Sequence, residues 1–201
     1  MAHRLDEYLQ AALISVEKGR VALEIRLTPG VAVLPAVLAS VDTDGDGVIS
    51  AAEQRAYAAR VLRDLALTVD GERLPLRLVG MKFARIEEMK EGRGEIQFDV
   101  MGDVPAGNGN RRLVFENHHA RALAAYLVNT LVPRDPAIRI AAQNRNYQQS
   151  WYQLDYEQAG GAAQVVAGWL GAVPLLLFAR FTFLWWRGKA VHTVGARSQA
   201  M

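Results

Sequence analysis

The sequence predicts an α+β fold, in which a β-sandwich-like domain contains an inserted helix–loop–helix and is followed by one apolar helix. Three observations predict it. Many short segments alternate apolar and polar residues, one loop rich in aspartate and glycine has apolar residues at helical spacing on both sides, and a long uncharged stretch follows residue 159. The predicted boundaries are a β-rich domain at 1–158, an apolar helix at 161–186 and a basic tail at 187–201.

The predicted strands carry the period-two pattern of half-buried β-structure. Residues 21–27 alternate apolar side chains with smaller or more polar ones. Asp70 and Gly71 are a two-residue turn signal, which predicts a hairpin between strands at 65–69 and 74–78. Further strands are predicted at 9–16, 95–100, 111–116, 124–131, 138–142 and 151–156.

A helix–loop–helix is predicted at about 33–65, inserted after the second strand. Apolar residues recur at helical spacing over 33–41 and again over 51–65. Between these segments, the twelve residues from Asp42 to Glu53 match the pattern D-x-[DN]-x-[DN]-G-x5-E throughout. This is the pattern of an EF-hand loop, so the sequence predicts a Ca²⁺ site. A metal-free surface turn that caps the second helix is the alternative.

Each position of the loop has a physical task in binding Ca²⁺, a hard cation that prefers oxygen ligands. Aspartates at alternate positions supply carboxylates, and Gly47 permits the sharp turn between them. Glu53 can close the site with two oxygens, and Ser50 is positioned both as a ligand through water and as the helix N-cap. Mg²⁺ is a weaker contender, because it tolerates so large a cage poorly. The predicted ligands are Asp42, Asp44, Asp46, the Val48 carbonyl, Ser50 and Glu53.

The predicted loop is solitary, although EF-hands commonly pair. The acidic stretch at 99–103 lacks the third acid and the closing glutamate. A single hand between strands favours a structural brace over a calcium sensor. Extracellular modules bind Ca²⁺ with dissociation constants of about 10⁻⁴–10⁻³ M, which is enough to keep such a site filled outside the cell.

Histidines provide a second candidate metal site. His118 and His119 end a predicted strand, and with His3 they could bind a softer metal such as nickel or cobalt. The alternative is a pair of strand-end residues whose side chains point to opposite faces, one solvated and one half-buried. The mixed-charge stretch at 82–93 is predicted to be a solvated loop or edge. No catalytic motif is present, so the protein is predicted not to be an enzyme.

Residues 161–186 are predicted to cross a membrane once. The run is about the length that a spanning helix needs, and Trp169, Trp185 and Trp186 are positioned for its two interfaces. Basic residues follow the run and acidic residues precede it, which predicts a cytoplasmic C-terminus. A buried core helix is the alternative, favoured by Pro174 and Arg180.

This topology predicts that the main domain faces the periplasm or the exterior of a bacterial-type cytoplasmic membrane. Export requires a leader, and we expect that a signal peptide is missing from this chain. A tail-anchored cytoplasmic protein is the alternative. Residues 1–160 carry 19 basic and 21 acidic side chains, so the excess positive charge belongs to residues 161–201. Without a basic stripe on the domain, nucleic acid is not a predicted partner.

The order of these features resembles a known bacterial domain. Residues 3–80 combine an N-terminal HRLDEY segment, two strands, the Asp42–Glu53 loop and the LTVDGERLPL segment. This order is similar to the extracytoplasmic β-rich domain of nickel/cobalt transport proteins, and the whole chain is similar to uncharacterised single-span bacterial proteins that carry such a domain. A single span cannot form that transport path, so the resemblance implies at most an accessory role beside a membrane transport partner.

Three functional hypotheses follow. The leading one is a calcium-binding, membrane-anchored extracytoplasmic module with a structural or interaction role. The second is an accessory protein of a nickel/cobalt transport system. The third is a hydrolase that Ca²⁺ stabilises, which requires a pocket with carboxylates or a base.

Overall fold

Ten strands form two five-stranded sheets in the computed structural model of the chain, which describes residues 6–160. The alternating pattern of β1 and β10 buries every second side chain, and these buried residues form one core between the sheets. The two layers are therefore β-sandwich-like, as predicted. The strands are β1 (Tyr8–Glu17), β2 (Arg20–Pro29), β3 (Leu65–Val69), β4 (Glu72–Arg73), β5 (Leu76–Phe83), β6 (Ile96–Asp103), β7 (Gly109–Asn117), β8 (Ala124–Thr130), β9 (Ile138–Arg145) and β10 (Trp151–Gln158).

The first sheet has the order β5-β6-β2-β1-β8, and the second has the order β4-β3-β7-β10-β9. Neighbours are antiparallel except for β1 and β8, which are parallel and start together at Tyr8 and Ala124. β1 and β2 form a long hairpin with Tyr8 opposite Pro29 and Glu17 opposite Arg20. Each sheet thus combines strands from distant parts of the chain.

The predicted Asp70–Gly71 turn is present, but the hairpin prediction is wrong in its second strand. β3 pairs with β4, in which Glu72 and Arg73 lie opposite Val69 and Thr68. The chain then crosses to the other sheet, where β5 pairs with β6. Pro75 has no N–H to continue the ladder, and Leu74 before it is buried in the core at 3% exposure. The hairpin ends at these two residues, and the chain passes there from the second sheet to the first.

Three helices occur among the described residues: α1 (Leu34–Val41), α2 (Ala51–Arg63) and α3 (Ile86–Lys90). α3 lies in the mixed-charge stretch at 82–93, so the predicted solvated loop or edge is partly helical. Its apolar residues Ile86 and Met89 are buried, and the Glu88 carboxylate accepts a hydrogen bond from Arg85 N. Burial of an i, i+3 apolar pair outweighs the surrounding charge and makes this segment helical.

α1 and α2 connect the two sheets, because β2 belongs to the first sheet and β3 to the second. Each helix buries one stripe in the sandwich core: Leu34, Val37 and Val41 from α1, and Tyr57, Ala58 and Val61 from α2. The loop between the helices is therefore part of the link between the sheets.

The chain divides into two units, Met1–Ala159 and Gly160–Met201. In the part of the chain that the structure describes, no helix has the length and apolar character to cross a bilayer. The membrane segment predicted at 161–186 and the tail at 187–201 lie outside the described residues, and so does His3.

Candidate metal centre

The loop between α1 and α2 gathers three carboxylates at the surface. Asp42, Asp44 and Asp46 each offer an oxygen, and these oxygens lie within 4.8 Å of one another. Two oxygens bound to one Ca²⁺ can be no more than about 5 Å apart, because each Ca–O distance is about 2.3–2.6 Å. The spacing therefore fits a single ion of this kind. Since like charges this close repel each other, a divalent cation would stabilise the arrangement.

Two glycines turn the loop so that backbone N–H groups point at its first aspartate. Gly45 and Gly47 have φ angles of 72° and 81°, a left-handed conformation that other residues rarely adopt. Their N–H groups donate to Asp42 Oδ1 and Oδ2 at 2.9 and 3.0 Å. In the same way, Val48 N donates to Asp46 Oδ1 at 2.8 Å. The backbone of the loop thus orients its own carboxylates, and Gly47 has the left-handed φ that suits a sharp turn.

Glu53 does not join the converging aspartates. Its side chain is almost buried, and one oxygen accepts hydrogen bonds from the Thr43 N–H and hydroxyl. The other oxygen accepts from the Ser50 N–H and hydroxyl, both at 2.9 Å. These donors, above all the Ser50 and Thr43 N–H groups, lower the pKa of Glu53 to about 2. The carboxylate is therefore ionised and ties the two ends of the loop together, and its role as a ligand stays a prediction.

Ser50, the predicted N-cap, forms a capping box with Glu53 at the start of α2. Ser50 Oγ accepts a hydrogen bond from Glu53 N, and the Glu53 carboxylate accepts from Ser50 N. Just before it, the Ile49 side chain packs against the core while that of Val48 is 64% exposed. Ile49 thus attaches the end of the loop to the core. The residues that could hold a metal ion are Asp42, Asp44 and Asp46, and the Val48 carbonyl, Ser50 and Glu53 stay predicted ligands.

A buried hydrogen-bond chain connects α2 to the rest of the domain. The Tyr57 hydroxyl lies 2.7 Å from the Tyr8 hydroxyl on β1 and 3.0 Å from His119 Nε2. His119 Nδ1 lies 2.7 Å from Asp64 Oδ2 at the end of α2. Burial raises the pKa of Tyr57 to about 12, so its hydroxyl stays protonated. Sequence reasoning missed this chain, because its members are 49 to 62 residues apart and no local pattern joins them.

The two neighbouring histidines have different surroundings. His118 is exposed by 39% and its Nε2 lies 2.9 Å from Glu116 Oε2, whereas the side chain of His119 is 6% exposed. Both ring nitrogens of His119 are engaged by Tyr57 and Asp64. Metal binding there would break both contacts, so the geometry gives no support to a shared site. The site predicted from His3, His118 and His119 stays untested, since His3 is not among the described residues.

A groove of about 750 Å³ on the second sheet contains carboxylates, which bears on the hydrolase hypothesis. Partial burial acts to raise the pKa of Asp70, but hydrogen bonds from Arg112 N and Arg111 Nε outweigh it and hold this pKa below its usual value. A hydrogen bond from Arg112 Nε likewise lowers the pKa of Asp155. Both acids are held ionised by arginine. An acid–base pair requires two groups whose pKa values are pushed apart, and these two are shifted in the same direction.

The candidate metal centre is thus described by its local geometry and by its attachment to the core. The loop brings three of the predicted ligands together, and two helices that bury side chains in the core support it. A scan against protein-family models and a search of proteins with curated functions each gave no match. The resemblance to the nickel/cobalt transport domain therefore remains a prediction from the sequence.

Proposed function

We propose that this protein is a calcium-binding module, anchored in a membrane by its C-terminal segment, whose bound ion braces the domain. The observation that carries the proposal is the convergence of Asp42, Asp44 and Asp46 to within 4.8 Å in a loop that already matches the EF-hand pattern. Three carboxylates on consecutive odd positions suit a hard divalent cation. Calcium supplies charge neutralisation and a rigid centre for oxygen ligands.

A bracing role follows from the position of the loop in the fold. α1 and α2 form the passage from one sheet to the other, and both are buried along one side in the shared core. An ion that fixes the angle between them would restrict how the sheets separate. Because such an ion binds the folded loop and not the unfolded chain, it stabilises the domain by mass action.

The compartment and the membrane anchor belong to the same proposal. They are supported by the apolar run at 161–186 and by the acidic and basic residues that flank it. A domain outside the cytoplasm would meet millimolar Ca²⁺, and weak binding would then suffice. No contact among residues 6–160 favours the nickel/cobalt accessory role over this one, and that role stays a prediction.

The test is calorimetric titration of Ca²⁺ into the chelator-treated full chain in detergent. We expect one ion per chain, and we expect Glu53→Gln to weaken binding about tenfold or more, because ligand charge tunes the affinity of such loops. Glutamine has only one acceptor oxygen, so the variant also loses hydrogen bonds from Thr43 or Ser50, and its melting temperature in chelator measures that loss apart from metal binding. Glu87→Gln is the matched control, since Glu87 is an exposed acid beside the loop but not in it.

Thermal unfolding gives a second readout. For a dissociation constant of about 10⁻⁴–10⁻³ M, Ca²⁺ at about 10 mM stabilises the fold by about 1.4–2.7 kcal/mol. For a domain of this size, that corresponds to an increase in melting temperature of about 3–11 °C. Equal melting temperatures with Ca²⁺ and with chelator, together with no heat of binding, would exclude the proposed function.

A further inference from the structure

The sandwich has two ends, and β1 runs from one to the other. At the first, the helix end, Gly30 N donates to Glu7 O at 2.9 Å and α1 begins four residues later. The calcium loop lies at this end. At the second, the exit end, β1 finishes at Glu17 and turns into β2. Ten residues at about 3.3 Å each separate the two ends by about 30 Å.

The loop at 131–137, between β8 and β9, is fixed at the exit end. Leu131 N donates to Ile14 O at 2.8 Å, and Lys18 N in the β1–β2 turn donates to Asp135 Oδ2 at 3.0 Å. The chain leaves the domain at the same place, because Ala159 N donates to the Ala137 carbonyl at 2.8 Å. This loop and the exit of the chain are therefore held side by side.

The exit end presents apolar side chains to solvent. Val132 is 86% exposed and Leu131 before it is 47% exposed. Two consecutive exposed aliphatic residues at a loop tip gain nothing from folding, since water still covers them. Exposed Lys18 and Arg134 lie in the adjoining turn and in the same loop. Arg20 in that turn is paired with Glu17, and Asp135 accepts from Lys18 N. An aliphatic tip with cationic side chains beside it suits the interface of a lipid bilayer.

The length of the chain beyond this point keeps the exit end near any membrane that the C-terminal segment enters. Val165, where the apolar run becomes continuous, is six residues after Ala159. Six residues reach at most about 20 Å when fully extended. The helix end lies about 30 Å from the exit end along β1, so a tether of this length holds only the exit end close to its attachment.

We propose that the exit end of the domain docks on the bilayer surface, with Leu131 and Val132 inserted among the lipid headgroups and the calcium loop facing away. This inference rests on the membrane anchor in the proposed function and adds the surface that contacts lipid. It does not depend on calcium binding. The helix end then stays accessible to other molecules in solution, while the exit end fixes the orientation of the domain on the bilayer.

The test uses a single spin label on the full chain reconstituted in vesicles of phosphatidylcholine and phosphatidylglycerol. The chain has no cysteine, so Val132→Cys gives one labelling position, and the 86% exposure of Val132 makes the change harmless to the fold. Tyr147→Cys is the control, because Tyr147 is fully exposed in the β9–β10 loop at the helix end. Accessibility to oxygen, which partitions into lipid, is compared with accessibility to a water-soluble nickel chelate.

We expect the label at Val132 to favour oxygen over the chelate severalfold more than the label at Tyr147. If both labels favour the chelate while the protein still floats with the vesicles, the docking inference is wrong and the anchor stands. If the protein does not float, the anchor fails and the inference fails with it. A label at Val132 that is shielded from both reagents and shows spin–spin broadening, lost on dilution with unlabelled chain, would assign the surface to a second copy instead.

Discussion

Removing one hydroxyl group from Tyr57 tests how α2 is joined to the sandwich. Tyr57 is 1% exposed, and its hydroxyl is the middle member of the buried chain from Tyr8 to His119. In Tyr57→Phe the ring still fills its place against Phe98 and Phe83. The change is therefore a loss of hydrogen bonds with little loss of packing.

The cost follows from what the substitution leaves behind. The Tyr8 hydroxyl and His119 Nε2 both lose a partner in a region that water does not reach. A buried polar group without a partner costs about 1–3 kcal/mol. Two such groups destabilise the domain by about 2–4 kcal/mol, since relaxation of the site makes the two costs less than additive. At about 2–4 °C per kcal/mol, the melting temperature falls by about 4–16 °C.

The assay is thermal unfolding of the full chain, followed by circular dichroism in the presence of chelator. Tyr147→Phe is the matched control, because Tyr147 is fully exposed and its variant should unfold within about 0.5 kcal/mol of the parent. Tyr8→Phe removes only the first hydroxyl of the hydrogen-bond chain and leaves the contact between Tyr57 and His119 intact. Its effect on stability should therefore be smaller. If Tyr57→Phe had the same melting temperature as Tyr147→Phe, the buried hydrogen bonds would contribute nothing to stability and the reasoning would be wrong.

Two further predictions concern the packing of α3 and an ion pair in the second sheet. A Cβ on Gly94 would lie 2.6 Å from the backbone N of buried Met89, so Gly94→Ala should destabilise the domain by about 1–3 kcal/mol in urea unfolding, and unchanged stability would refute this close packing. The depressed pKa of Asp70 stabilises the fold above the unfolded-state pKa of about 3.9, and this contribution is lost as pH falls through the folded-state pKa. Asp70→Asn should therefore be less stable than the parent at pH 7, by about 1 kcal/mol or less because Asp70 is partly exposed, and the difference should shrink below pH ~4. A difference that stayed constant from pH 7 to pH 3 would contradict this assignment.

Much of the secondary structure could be predicted because its signals are local. The alternation at 21–27 indicated β2, and the strand predicted at 65–69 is β3 as observed. The helices at 33–41 and 51–65 differ from α1 and α2 by two residues at most. Periodicity and turn residues reflect contacts between neighbours in the sequence, and these contacts persist whatever the fold.

Strand partners could not be predicted in the same way. The parallel pairing of β1 with β8 joins Tyr8 to Ala124, and no local pattern connects them. The Asp70–Gly71 turn predicted a hairpin with the next strand, yet β5 pairs with β6 in the other sheet. Which strands pair depends on the summed burial of side chains from the whole chain, and a two-residue turn does not contain that information.

In the candidate metal loop, too, some features follow from the local sequence and others from the tertiary structure. The spacing of acids and glycines determined the turn of the chain and the meeting of Asp42, Asp44 and Asp46, because the ligands and the bends lie within a few residues of each other. The Ser50 cap of α2 is also local, whereas only the tertiary structure decided that the two helices bridge the two sheets. It also decided that His119 is a buried partner of Tyr57, since that contact spans 62 residues and exists only when both sheets close on one core.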